Sequence, residues 1–448
     1  MTSRAVGQGL FTVALSDLHE TQSMPFADAT ALRRVVSGKA DDVISLASGT
    51  PYEGDFDLKA VQDYLELFHQ HLVVSYGGDE RGATRTILQY GRVKGVINDL
   101  VARHLEVDEQ ITADADSIVV TVGGQEALFL TMRALRRTDQ DAVLAVQPTY
   151  FGFIGAAELA DLKVLSVKDS ADGIDLDDLE NVVAEAVAAG LRPRAVYVVP
   201  DFANPTGTTM PLHTRQRLLE LAGELGLLIV EDNAYGLLST DRDHPRTIKS
   251  MDRARHVVYC GSFAKTGVPG ARVGYVVADQ PVTGGAPGET LSDELARIKN
   301  MVTLNTSPIA QAVIGGKLIH HGFSLRTANL AVARHYRRNL TVALDTLAEL
   351  FPEGSVPEVT WSAPRGGFFV VLNVPFETAD ELSEECAADH GVLWVPIHRF
   401  HGDGKPRRQL RISISSVTPE ALRTGLIRLA GFISQHVEKS APSVPSTC

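Results

Sequence analysis

The sequence predicts an α/β protein with a large, mainly parallel seven-stranded sheet domain and a small α+β domain. Three observations predict it. Seven short β-branched runs recur through the middle of the chain, helical patterns sit between several of them, and the last third changes character. Continuous apolar strands that alternate with helices imply a sheet covered on both faces.

The runs lie at 117–122, 142–146, 163–167, 194–199, 226–230, 256–260 and 273–277. Helical periodicity occupies 84–105, 124–137, 153–160, 176–189 and 212–225. Beyond these, an amphipathic helix is expected over about 323–352, with Tyr336, Leu340, Leu344 and Leu347 on one side. Strands follow near 359–362, 367–373 and 410–415, then a final helix with Thr418 as N-cap and Pro419 in its first turn. The expected division is an N-terminal arm over 1–41, a small domain made of 42–72 and 323–438, a large domain over 73–322, and a disordered tail over 439–448.

Composition narrows the function. With 448 residues, 44% of them hydrophobic, the chain can bury sizeable cores. A formal charge of −13 argues against nucleic acid as a partner. No run of 18 apolar residues suggests a membrane span, and nothing before Asp17 and Glu20 reads as a secretory signal. The three cysteines, Cys260, Cys386 and Cys448, match neither a zinc site nor a disulfide framework, and a reducing cytoplasmic setting is expected.

Ligands of open α/β sheets bind at the carboxyl ends of strands, and five strand ends here carry specific polar residues. The first is Gly123-Gly124-Gln125-Glu126, whose free backbone N–H groups at a helix start suit a phosphate, although an ordinary strand–helix turn reads the same way. Tyr150 follows the second run and could stack on a flat ring or simply fill core. Asn204-Pro205-Thr206-Gly207 is a turn string whose asparagine can donate to a ring oxygen. Asp232, with Tyr235 three residues on, suits a pyridinium N–H and a phenolate oxygen, or a helix cap. The last is Ser262-Phe263-Ala264-Lys265, followed by Arg272. There an amine able to form a Schiff base stands beside a hydroxyl and a guanidinium able to hold a phosphate.

Taken in order, these strings with Arg411 resemble the class I/II aminotransferases, the fold-type I pyridoxal-phosphate enzymes, over roughly residues 42–436. The resemblance implies pyridoxal 5′-phosphate as cofactor and amino transfer between an α-amino acid and a 2-oxo acid. By position, Lys265 is the catalytic lysine that holds the cofactor and then serves as general base at Cα. Asp232 pairs with the pyridine N–H, Asn204 and Tyr235 with the phenolic oxygen, and Tyr150 stacks on the ring. Ser262, Arg272 and the N–H groups of Gly124 and Gln125 form the phosphate cup. Tyr90 reaches the phosphate from the neighbouring subunit, so a homodimer is implied. Arg411 clamps the substrate α-carboxylate beside Gly49.

The sequence departs from the family pattern at Pro396-Ile397-His398-Arg399-Phe400, where Ile397 takes a glycine position and His398 and His401 are added. The stretch Pro51–Phe56 is elaborated, Glu126 replaces an uncharged residue, and Arg81, Arg85 and Arg92 stand in the loop over 75–92. These departures resemble the divergent branch of natural-product pathways. The alternative they leave open is a lyase or transferase that eliminates, replaces or cyclises on an amino acid such as S-adenosylmethionine. A regulator with a DNA-binding module before this domain is not expected, because only about 40 residues precede it.

Overall fold

A computed structural model describes residues 43–241, 243–355 and 358–440. The expected N-terminal arm, the C-terminal tail and Cys448 lie outside the described residues. The seven middle runs become β2 (Ile118–Thr121), β3 (Asp141–Gln147), β4 (Lys163–Lys168), β5 (Arg192–Val198), β6 (Leu228–Asn233), β7 (Val257–Ser262) and β8 (Gly274–Val277). They form one sheet in the order β2-β8-β7-β6-β5-β3-β4. All neighbours are parallel except β8, which lies antiparallel between β2 and β7.

Alternation along each strand explains why helices cover both faces. Val143, Ala145, Ala195, Tyr197, Val230, Val258 and Cys260 point to one side, under the helices Gly123–Leu135 and Phe151–Leu159. Leu144, Val196, Val198, Ile229 and Val257 point to the other, under the helices Leu176–Ala188 and Leu212–Leu225. Burying each large side chain stabilises the layer by about 1.5–3 kcal/mol.

The smaller sheet has the order β12-β13-β10-β9, with β9 at Thr360–Trp361, β10 at Phe369–Thr378, β12 at Val395–Pro396 and β13 at Arg407–Ser413. A two-stranded parallel pair, β1 (Ile44–Ser45) with β11 (Val392–Leu393), stands beside it. The helices Leu330–Leu350 and Pro419–Ser440 cover this core. Thr418 Oγ1 accepts from Ala421 N at 3.2 Å, the cap expected at the start of the last helix.

Three expectations need correction. The segment 42–72 does not belong wholly with the small domain. Its strand β1 does, but the helix Leu58–Ser75 buries Phe68 and Leu72 in the cluster of Ile97, Val101, Ile314 and Leu318, which belongs to the large domain. The helical reading of 84–105 is broken in two, Glu80–Leu88 and Asn98–Glu109. The chain between them runs along the sheet edge, where Val120 N donates to Lys94 O at 2.7 Å. The long helix near 323–352 is interrupted at Asn329, whose side-chain amide is drawn off to Thr266 O and Leu325 O.

Candidate active site

The carboxyl ends of β2, β3, β5, β6 and β7 open onto one cavity of about 270 Å³ between the two domains. Eleven of the twelve residues singled out in the sequence line it: Gly49, Gly124, Gln125, Tyr150, Asn204, Asp232, Tyr235, Ser262, Lys265, Arg272 and Arg411. The twelfth, Tyr90, does not. It follows the helix Glu80–Leu88, is 80% exposed, and lines a separate surface cleft with Arg85, Gln89 and Arg92.

Lys265 follows β7 and reaches across the domain seam, where Nζ donates to Gly49 O at 2.7 Å. Burial, and then the positive charges of Arg272 and Arg411, pull its pKa down to about 8. Asp232 lies within β6. Burial pushes its carboxyl up to about 6, and the hydroxyl of Tyr197, donating to Oδ2 at 2.7 Å, works against that rise. Tyr197 sits in β5 and is fixed by stacking on Phe153, ring centres 3.9 Å apart. Tyr150 donates to Gln125 Oε1 at 3.3 Å, and burial raises its phenol to about 12. Tyr235 is also held above the usual phenol range by burial.

Arg411 is 2% exposed and enters from β13, where it faces Val371 of β10. Nη1 donates to Asn204 Oδ1 at 2.8 Å, and Nη2 donates to Ala47 O. The guanidinium carbon lies 4.2 Å from the Phe369 ring centre and 4.9 Å from that of Phe400. Burial lowers the guanidinium pKa to about 9, so it stays charged at neutral pH. Its Nε is buried without a partner. A buried, unpaired N–H of a charged group is costly unless a ligand accepts from it.

The turn expected to hold a phosphate is built by close approach of backbone. Gly123 has φ +74°, and a Cβ there would lie 2.5 Å from Arg272 Nη2. No side chain of the N-cap residue Val122 bonds into the helix Gly123–Leu135. Gly274 at the start of β8 has ordinary backbone angles, yet a Cβ there would come within 2.6 Å of Gly123 C and 2.7 Å of Gly124 N. Lys265, Arg272 and Arg411 outnumber the single carboxylate Asp232, which suits a cavity that receives a phosphate and a carboxylate together.

With this geometry in view, the comparisons with known proteins decide the family. The model of the aminotransferase class I and II family matches residues 41–429. The chain is a class I and II aminotransferase. It is 48% identical over 430 residues to (S)-3,5-dihydroxyphenylglycine transaminase of Amycolatopsis orientalis, covering 96% of this chain and 97% of that one. It is 30% identical over 404 residues to aromatic-amino-acid aminotransferase 1 of Thermococcus litoralis, covering 90% of each. Among solved structures it resembles the kynurenine aminotransferase of Pyrococcus horikoshii, crystallised with PMP, at TM-score 0.78 and 27% identity over 95% of this chain and 97% of that one. This aminotransferase is therefore an enzyme of fold type I that uses pyridoxal 5′-phosphate.

Other residues shape this site without having stood out in the sequence. Tyr197 looks like any apolar strand residue in Val196-Tyr197-Val198. Phe369 looks like any apolar strand residue, and Phe400 figures in the sequence only as the end of the Pro396–Phe400 string. Arg215, fully buried, donates to Pro200 O, Met210 O and Asp201, and so stitches together both ends of the loop that carries Asn204. His244 Nε2 stands 2.9 Å from the same Asp201. The departures at His398, Arg81 and Arg85 do not line the cavity, although Phe400, two residues after His398, packs on Arg411.

Proposed function

We propose that this aminotransferase moves the amino group of an α-amino acid whose aromatic ring stands close to Cα, an arylglycine, to a 2-oxo acid. The observation that carries this reading is the aromatic wall around Arg411. Phe369 and Phe400 flank the guanidinium, and Phe151 packs edge-on against both Tyr150 and Phe400. A substrate whose carboxylate sits on Arg411 would have its adjacent ring against these faces. The 48% identity to a dihydroxyphenylglycine transaminase along almost the whole chain supports the same substrate class, and with it a role in making non-standard amino acids.

The residues divide the work. Arg411, through its unpartnered Nε and the adjacent Nη, orients the carboxylate by paired charge-assisted bonds. Asn204 Oδ1 is already engaged by Arg411, which leaves its NH₂ for a phenolic oxygen that Tyr235 also reaches. Asp232 holds a pyridine N–H, and Ser262, Arg272 and the N–H groups of Gly124 and Gln125 hold the phosphate. When bound, pyridoxal phosphate supplies the electron sink for negative charge developing at Cα. Lys265 Nζ takes the Cα proton, a role that a buried amine with lowered pKa fits near neutral pH.

A homodimer completes the reading. Tyr90 is exposed and away from its own chain's cavity, and the apolar Leu88, Met301 and Leu304 are exposed as well. In the dimer Tyr90 would reach the partner's phosphate. A cytoplasmic location fits Cys260 and Cys386, both unpaired and buried. No helix among the described residues is long and apolar enough to cross a membrane.

The test is a substrate panel of arylglycines, phenylalanine, alanine and 2-aminoadipate, each with 2-oxoglutarate, with formation of the new 2-oxo acid read by mass spectrometry. An arylglycine is expected to lead in kcat/KM. A lead by alanine or 2-aminoadipate would overturn the substrate assignment.

A further inference from the structure

The turn that suits a phosphate carries a carboxylate of its own. Glu126 stands in the first turn of the helix Gly123–Leu135, where the backbone N–H groups favour anions. An uncompensated carboxylate there would repel the phosphate that the same turn receives. The structure shows how it is compensated. Glu126 Oε2 accepts from Val122 N at 2.6 Å and from Lys299 Nζ at 2.7 Å, and Oε1 accepts from Thr303 Oγ1 at 2.6 Å. Lys299 also donates to Thr303 Oγ1 at 2.9 Å. The Lys299 side chain is fully buried, and that of Glu126 is 7% exposed.

Neither end of this cluster lines the cavity. Lys299 comes from the helix Leu291–Val302, whose Thr290–Asp293 capping box fixes its start. The following segment is tied back to the sheet, because Thr306 Oγ1 donates to Val120 O at 3.0 Å, next to the same turn. The Val122 N–H therefore bonds to a carboxylate that is itself held from a second helix. The cluster carries no net charge while both partners are ionised.

We propose that Glu126, Lys299 and Thr303 form a neutral clamp that positions the Val122–Gln125 turn, and that Lys299 sets phosphate affinity by cancelling the Glu126 charge beneath it. These are positioning residues. The inference rests on the reading of that turn as the phosphate site. Its signature is the sign of the charge effect. Lys299→Met leaves an uncompensated buried carboxylate behind the turn, Glu126→Gln leaves a cation there, and the double variant is neutral again.

The measurement is the dissociation constant of the full-length chain for pyridoxal phosphate and, separately, for pyridoxal, read by fluorescence titration. Lys299→Met is expected to weaken pyridoxal phosphate about tenfold and to leave pyridoxal within about twofold. Glu126→Gln is expected not to weaken pyridoxal phosphate, and E126Q/K299M to return within about threefold of the parent. Should Lys299→Met not fold, Thr303→Val keeps both charges and removes one donor from Glu126. It is then expected to weaken pyridoxal phosphate alone, by a few-fold. Equal weakening of both compounds in both single variants, or no change in any variant, would overturn the clamp. Arg272→Ala separates this from the underlying reading. If the preference for pyridoxal phosphate over pyridoxal survives Arg272→Ala, the phosphate site itself is misplaced. If that preference collapses while the Lys299 variants change nothing, only the clamp fails.

Discussion

Replacing Arg411 with methionine isolates what the buried guanidinium does for a substrate. In the resting protein two of its N–H groups are spent on Asn204 Oδ1 and Ala47 O, while Nε has no partner. A carboxylate that takes Nε–H and a neighbouring Nη–H gains two charge-assisted bonds. At about 1.5–3 kcal/mol each, their loss amounts to about 3–6 kcal/mol. With about 1.36 kcal/mol per factor of ten, kcat/KM for an α-amino acid should fall by about 10²–10⁴. Methionine is apolar, unbranched and able to lie between Phe369 and Phe400, so the pocket keeps much of its packing. The assay compares an arylglycine with the matching arylmethylamine, which has the ring and the amine but no carboxylate. The variant should lose its large factor on the amino acid and less than about tenfold on the amine. Equal losses on both compounds would refute the clamp and point to general disruption of the pocket. An unchanged amino-acid rate would refute it outright.

Further outcomes follow from the same geometry. Lys265→Ala should abolish both turnover and the absorption band of the bound cofactor, checked by spectroscopy of the purified protein. Activity should fall as pH drops through about 6, where Asp232 takes up a proton. Tyr197→Phe removes the bond that opposes this uptake and should move that acid limb to higher pH in a kcat/KM profile. Arg215→Leu should cost about 3–5 kcal/mol in a thermal or urea melt, because the buried Asp201 loses its guanidinium partner and keeps only His244. Burial alone would raise Asp201, but Arg215 and His244 outweigh it and hold the carboxyl well below its unfolded value of about 3.9. This stabilisation is present above about pH 4 and is lost as pH falls further. Tyr90→Ala should weaken cofactor retention several-fold in a dimer that still forms, followed by dialysis and gel filtration.

What could be read from the sequence follows from what is local. The seven strands were legible because each is a short β-branched run, and the residues at their ends because short-range turn and cap chemistry marks them. Lys265, Asp232 and Asn204 stood out in this way. Tyr197 did not, since its role depends on β5 lying beside β6, a neighbour distant in sequence. Arg215 and Lys299 are ordinary helical cations in sequence, and only tertiary packing buries them against Asp201 and Glu126. The segment 42–72 was placed whole with the small domain because nothing local in it tells which core receives the apolar face of the helix Leu58–Ser75. Glycines within 89–97 ended one helix earlier than the pattern of apolar residues implied.

The antiparallel strand β8 has a consequence for how this chain can vary. Its insertion between β2 and β7 brings Gly274 opposite both Thr121 and Ser262, one residue from the turn on one side and at the end of the strand that precedes Lys265 on the other. The backbone there is unremarkable for any residue, so propensity scales would tolerate alanine. Space would not, because a single methyl group at Gly274 would press on the backbone of Gly123, Gly124 and Gly261 at once. Mutational tolerance around this cavity is then set as much by a position with no side chain as by the charged residues that face the ligand. A library diversified for new substrates should leave Gly274 untouched while varying Phe151 and Phe369.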